Sequence, residues 1–146
     1  MSAVGFRLHH LGFLTDDLAA AAVHWAGTYG AEPDGPVIHD AEQQARVRLL
    51  QMPGAAHWIE LISPDSPSSH LHKALSRKVT LHHHAYAVKD WDGALAHLRT
   101  SGCVPLGRPV TGAAFGRNIM WWHDPRAGLV ELIATGPGPY SLSEPS

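Results

Sequence analysis

The chain has 146 residues, 45% hydrophobic and 16% charged, enough apolar mass to close a core and too much for a disordered tail. The formal charge is −2 with neutral histidines, and Lys and Arg are scattered, which argues against the basic face of a general nucleic-acid binder. Twelve histidines far exceed the usual share, while a single cysteine, Cys103, allows no intramolecular disulfide and no cysteine-based zinc knuckle.

Arg7–Leu14 is rich in strand formers and stops at Thr15-Asp16-Asp17, a helix-capping cluster. Leu18–Tyr29 follows as an Ala-rich helix ended by Gly30, and Pro33–Asp40 reads as a weak strand. Ala45–Gln51 alternates Val47 and Leu49 with Arg46 and Arg48 and ends at the turn Met52-Pro53-Gly54. His57–Ile62 is the next strand, closed by Ser63-Pro64-Asp65. Residues 65–79 form a linker with a short helix around His70–Arg77. The second half gives a strand at Leu81–Val88, a helix at Asp90–Ser101 and strands at Val104–Pro109, Arg117–His123 and Leu129–Ala134. Residues 136–146, rich in Pro and Gly, read as a tail. The longest apolar run, Leu18–Val23, is far short of the roughly 20 residues of a membrane helix. Arg7, His9 and His10 interrupt what an export signal would need, so the expectation is a cytoplasmic protein with no membrane and no nucleic-acid partner.

The chain repeats itself. At an offset of 73, Leu8-His9-His10 falls on Leu81-His82-His83, Asp17 on Asp90 and His24 on His97. The offset then tightens to 71, where Glu60-Leu61-Ile62 falls on Glu131-Leu132-Ile133. The expected architecture is therefore α+β, a single domain over 1–146. A first βαβββ module spans 6–64 and a second 80–135, forming a curved, mostly antiparallel sheet around a shared cavity.

Strand side chains alternate faces with period two. His10 travels with Leu8 and Gly12, His83 with Leu81 and Ala85, Glu60 with Trp58 and Ile62, and Glu131 with Leu129 and Ile133. A carboxylate in such an apolar row is costly unless paired or metal-bound. Two histidines and two glutamates at equivalent strand positions satisfy one another around a divalent cation: Co, Mn, Ni, Zn or Fe(II). The plainer reading of each residue is a strand histidine bonded to backbone, or an edge carboxylate in solvent; the symmetry of the repeat favours the metal.

These segments resemble the vicinal oxygen chelate superfamily, the fold shared by glyoxalase I, methylmalonyl-CoA epimerase, extradiol dioxygenases and bleomycin-resistance proteins. The epimerase-like branch is the most similar, through Leu8-His9-His10-Leu11-Gly12, Ile59-Glu60-Leu61-Ile62-Ser63-Pro64, Leu81-His82-His83-His84-Ala85-Tyr86 and Gly128-Leu129-Val130-Glu131-Leu132. The resemblance implies metal ligands at His10, Glu60, His83 and Glu131, with Glu131 or Glu60 moving a proton. It implies a metal-dependent isomerase, epimerase or glyoxalase-like lyase working through a metal-stabilised enolate of a small acyl-CoA or 2-oxo acid, and a homodimer. One departure stands out. Epimerase-type enzymes carry a glutamate base on the third strand, and alignment through Met52-Pro53 puts Arg48 there. Arginine cannot abstract a proton at ordinary pH, so a standard methylmalonyl-CoA epimerase is not expected. Arg48 reads instead as an anchor for substrate oxygen, with Trp58, Met120 and Trp122 as pocket walls. The alternatives are a non-catalytic antibiotic-binding resistance protein, which five tryptophans suit, and a non-haem iron dioxygenase, which needs one carboxylate fewer.

Overall fold

In a computed structural model of the chain, residues 4–143 are described. The elements run β1 (Arg7–Leu14), α1 (Leu18–Tyr29), β2 (Glu32–Pro33), β3 (Ile38–Asp40), β4 (Ala45–Gln51), β5 (Trp58–Pro64), α2 (Leu71–Ser76), β6 (Leu81–Val88), α3 (Trp91–Thr100), β7 (Val104–Pro105), β8 (Val110–Thr111), β9 (Asn118–Asp124) and β10 (Gly128–Ala134). The architecture is α+β, and a β-α-β-β-β-β order occurs twice, one strand more in each half than the sequence repeat predicts. Two expected strands are each broken in two. Asp34-Gly35-Pro36, with Gly35 at φ 92°, separates β2 from β3, and Leu106–Pro109 separates β7 from β8. Each break carries a Gly and a Pro, residues that favour turns, and its proline gives a ladder no N–H. Among the described residues no helix is long and apolar enough to cross a membrane.

Chain contacts divide the protein into two compact units whose boundaries fall inside β1 and β6: residues 10–82, and the segment up to His9 together with His83 onward. In the first unit the strand order is β2-β4-β5-β1, with β3 also on β4. β1 and β5 are parallel, with His10 opposite Trp58 and Gly12 opposite Glu60. β4 and β5 are antiparallel, with Leu49 opposite Glu60 and Arg48 opposite Leu61. Helix α1 forms where the sequence places its stop signals. Asp17 caps it by accepting from the Ala20 N–H at 3.0 Å, and Gly30 ends it at φ 74°. Its Leu18 and Ala22 pack on Leu50, Ile59 and Leu61, so one face of the sheet is closed by the helix.

The second unit repeats this plan. Its strand order is β6-β10-β9-β7, with β8 also on β9. β6 and β10 are parallel, with Ala85 opposite Glu131, and β9 runs antiparallel to β10, with Trp121 opposite Glu131. Helix α3 is capped by Asp90, whose carboxylate accepts from the Gly93 N–H at 3.0 Å. Val88, Ala94, Met120, Trp122, Val130 and Leu132 form the core beneath it.

Candidate metal centre

Each unit carries one buried His–Glu pair on the sheet face away from its helix. In the first unit, residues opposite one another in register point to the same side, so His10, Trp58, Glu60 and Leu49 share that face. His10 is fully buried and Glu60 is 4% exposed. His10 Nε2 stands 3.7 Å from Glu60 Oε1. In the second unit His83, Ala85, Trp121 and Glu131 share the corresponding face. His83 Nε2 lies 3.5 Å from Glu131 Oε1, and the two residues are 1% and 3% exposed.

These separations have a meaning. A charge-assisted N–H···O bond closes to about 2.7–2.9 Å. Two donors each about 2.1 Å from a common ion, at 90–120° to one another, stand roughly 3.0–3.7 Å apart. Both pairs fall within the spacing of ligands on one cation and outside that of a tight ion pair. Imidazole with carboxylate is also the donor chemistry that borderline divalent ions take. The residues present therefore fit a metal, and the twofold repeat delivers the same half-set in each unit.

The expected pocket residues divide. Trp58 shares a face with Glu60 and donates its indole N–H to Asp34 Oδ2 at 2.9 Å. Arg48, Met120 and Trp122 do not reach that face. Arg48 opposes Leu61 on the side covered by α1, and its Nε donates to the Gly35 carbonyl at 3.3 Å. Met120 and Trp122 oppose Leu132 and Val130 in the core beneath α3. The residues that stand beside the glutamates are one position away, Leu49 and Trp121. The Trp121 ring meets the His83 ring edge-on, 4.8 Å between centroids at 84°. Trp121 is the residue the sequence reading missed. The short turn Asp124-Pro125-Arg126-Ala127-Gly128 is the signal that finds it, because pairing Asp124 with Gly128 brings Trp121 opposite Glu131. Strand β4 presents Ala45, Val47, Leu49 and Gln51 to the Glu60 face, and none of these is an acid.

A family profile described as the Glyoxalase/Bleomycin resistance protein/Dioxygenase superfamily matches residues 9–121. The ethylmalonyl-CoA/methylmalonyl-CoA epimerase of Cereibacter sphaeroides is 31% identical over 132 residues, 86% of this chain and 96% of the relative. Among solved structures, methylmalonyl-CoA epimerase from Mycobacterium tuberculosis superposes with a TM-score of 0.76 at 28% identity, over 93% of this chain and 91% of its own. A serine-to-threonine variant of the Streptomyces coelicolor methylmalonyl-CoA epimerase, in complex with 2-nitronate-propionyl-CoA, gives 0.78 at 26% identity, over 91% and 96%.

Proposed function

The chain belongs to the glyoxalase/bleomycin resistance protein/dioxygenase superfamily, and from that premise we propose that it is a divalent-metal-dependent epimerase or isomerase acting next to the carbonyl of an acyl-CoA. In this reading His10, Glu60, His83 and Glu131 together hold one ion. The observation that carries it is the recurrence of a buried His–Glu pair at ligand spacing in both units, 3.7 Å and 3.5 Å. The substrate class is supported by the epimerase relatives, whose own substrates are acyl-CoAs by name.

A bound divalent ion supplies Lewis acidity, which makes a C–H beside a coordinated carbonyl easier to ionise. The chain must then move the proton. A carboxylate is the natural carrier, since arginine cannot accept a proton. The strand on which epimerase-type enzymes carry their base offers Ala45, Val47, Leu49 and Gln51 at this face, none of them an acid. Glu131 therefore takes the role, with Glu60 as its counterpart. In a two-base epimerisation one carrier removes the proton and the other returns it on the opposite face, roles that Glu60 and Glu131 would share in this reading. Trp58 and Trp121 supply apolar walls that keep water from the carboxylates.

The test is isotope exchange. Metal-loaded protein incubated with methylmalonyl-CoA in D2O is expected to incorporate one deuterium at the carbon between the two carbonyl groups, read by mass spectrometry. No exchange above the protein-free rate with Co, Mn, Ni, Zn or Fe(II), on this or the ethyl homologue, overturns the reading.

A further inference from the structure

Residues 136–143 form a strap, held by two arginines and a histidine. Arg117 Nε donates to the Ala134 carbonyl at 3.0 Å, its Nη1 to Pro139 O at 3.1 Å and Ser141 Oγ at 3.3 Å, and its Nη2 to Tyr140 O at 3.3 Å. His9 Nε2 meets the same Tyr140 carbonyl at 2.6 Å, and Arg7 Nη2 donates to Ser143 O at 2.7 Å. Gly138, at φ 131°, allows the close approach, since a Cβ there would lie 3.1 Å from Arg117 Nη1. Beside the strap lies a cavity of about 360 Å³, lined by Arg7, His9, Arg117, Thr135, Ser141 and Leu142 among others.

The charge there is one-sided. No carboxylate lines the cavity among the described residues, and the acceptors that the two guanidiniums meet there are carbonyls and a hydroxyl. Burial pushes the Arg117 guanidinium below its ordinary range, the mark of a cation short of solvent. Arg117 commits four of its five N–H groups to the strap, whereas Arg7 commits one, which leaves most of its fork for a ligand.

We propose that this cavity binds a phosphate group, with Arg7 as the principal donor, Arg117 as the fixed positive wall and the Thr135 hydroxyl as a further donor. Planar guanidiniums match phosphate oxygens in pairs, and a dianion is the ligand favoured by two arginines that meet no carboxylate among the described residues. The volume admits one phosphate and the first atoms of the group it esterifies. The phosphate has two possible sources, the nucleotide end of a coenzyme A substrate or free phosphate. The site itself does not depend on the metal reading, and binding is measured without turnover.

Titration calorimetry with inorganic phosphate, coenzyme A and phosphate-free pantetheine tests it. Saturable binding of phosphate or coenzyme A is expected, with Arg7→Ala weakening it about tenfold or more and leaving the melting temperature unchanged. Coenzyme A binding at least about tenfold tighter than pantetheine assigns the phosphate to the substrate. Phosphate binding with no such gain assigns the site to free phosphate. Arg117→Ala also releases the strap, so Arg7→Glu is the second variant. No saturable binding of either phosphate-bearing ligand, or binding that both Arg7 variants leave intact, overturns the proposal.

Discussion

Glu131 is 3% exposed and stands 3.5 Å from His83 Nε2, so replacing it by glutamine alters charge and basicity while keeping its volume. Glu131→Gln is predicted to slow deuterium exchange by about 10²–10⁴, the usual share of a general base, with the melting temperature of the metal-free protein unchanged within a few degrees. Arg48→Ala is predicted to leave exchange within about twofold of the parent, because Arg48 lies on the α1 side of β4. The same assay reads both variants; a hundredfold loss in Arg48→Ala would restore it as a substrate anchor. These two residues show what was legible at this scale. The placement of His10 with Glu60 and of His83 with Glu131 on a buried strand face follows from the repeat, which compares like positions in like strands, and Trp58 follows Glu60 by period two within β5. Arg48, Met120 and Trp122 needed the register across a hairpin, and a one-residue slip there turns every side chain to the other face. That slip separates Arg48 from Leu49 and Trp122 from Trp121.

Helix ends and tight turns carry their own chemistry, which is why α1 and β4 were readable to the residue while β2/β3 and β7/β8 were not. Asp17 and Gly30 announce α1 locally. Gly and Pro hint at the breaks at Asp34-Gly35-Pro36 and Leu106–Pro109, but which flanking residues still pair depends on the β4 and β9 edges they meet. The α3 cap makes a prediction at this scale. A Cβ on Gly93 would lie 2.1 Å from Asp90 Oδ2, so the carboxylate would have to turn to admit a side chain there. Asp90→Ala is predicted to cost about 1 kcal/mol in urea denaturation. Asp17 caps the Ala20 N–H of α1 across a Cβ, so the Asp90 carboxylate is expected to turn and keep its cap, and most of that cost, in a Gly93→Ala background. Equal Asp90→Ala costs in both backgrounds would show that the cap survives the methyl group. The β9–β10 turn makes another. Asp124 accepts from the Arg126 and Ala127 N–H groups, and the Arg126 bond first of all holds its carboxyl below the ordinary value. A carboxyl depressed in the folded state adds stability above its unfolded pKa, about 3.9, and that stability is lost as pH falls through the folded value. Asp124→Asn should therefore lose stability at pH 6 and lose less than the parent between pH 5 and 3. Parallel acid limbs in urea melts of the two proteins would remove Asp124 from the account.

At the scale of the whole molecule the question is how many ions two half-sets hold. Each unit alone offers one imidazole and one carboxylate, and two donors are too few for a tight site on a borderline ion, which takes four or more. An ion drawing on both pairs would have four protein donors, with room left for substrate oxygens. The two arrangements differ in stoichiometry. One shared ion predicts one equivalent of metal per chain by elemental analysis, and it predicts that His10→Ala and His83→Ala each lower the content to under about a tenth of an equivalent at low free metal. Separate sites predict up to two equivalents, with each variant keeping the ion of the intact pair. Stability gives a second readout. An ion bound by the folded chain and not by the unfolded one adds about 2.7 kcal/mol at a free concentration one hundred times its Kd. The parent should show that gain on metal addition and each single variant should lose nearly all of it, because removing either histidine dismantles the same site. If His10→Ala and His83→Ala each keep half of the metal and half of the stabilisation, the two pairs act independently, and a mechanism that needs Glu60 and Glu131 on opposite faces of one carbon goes with the shared ion.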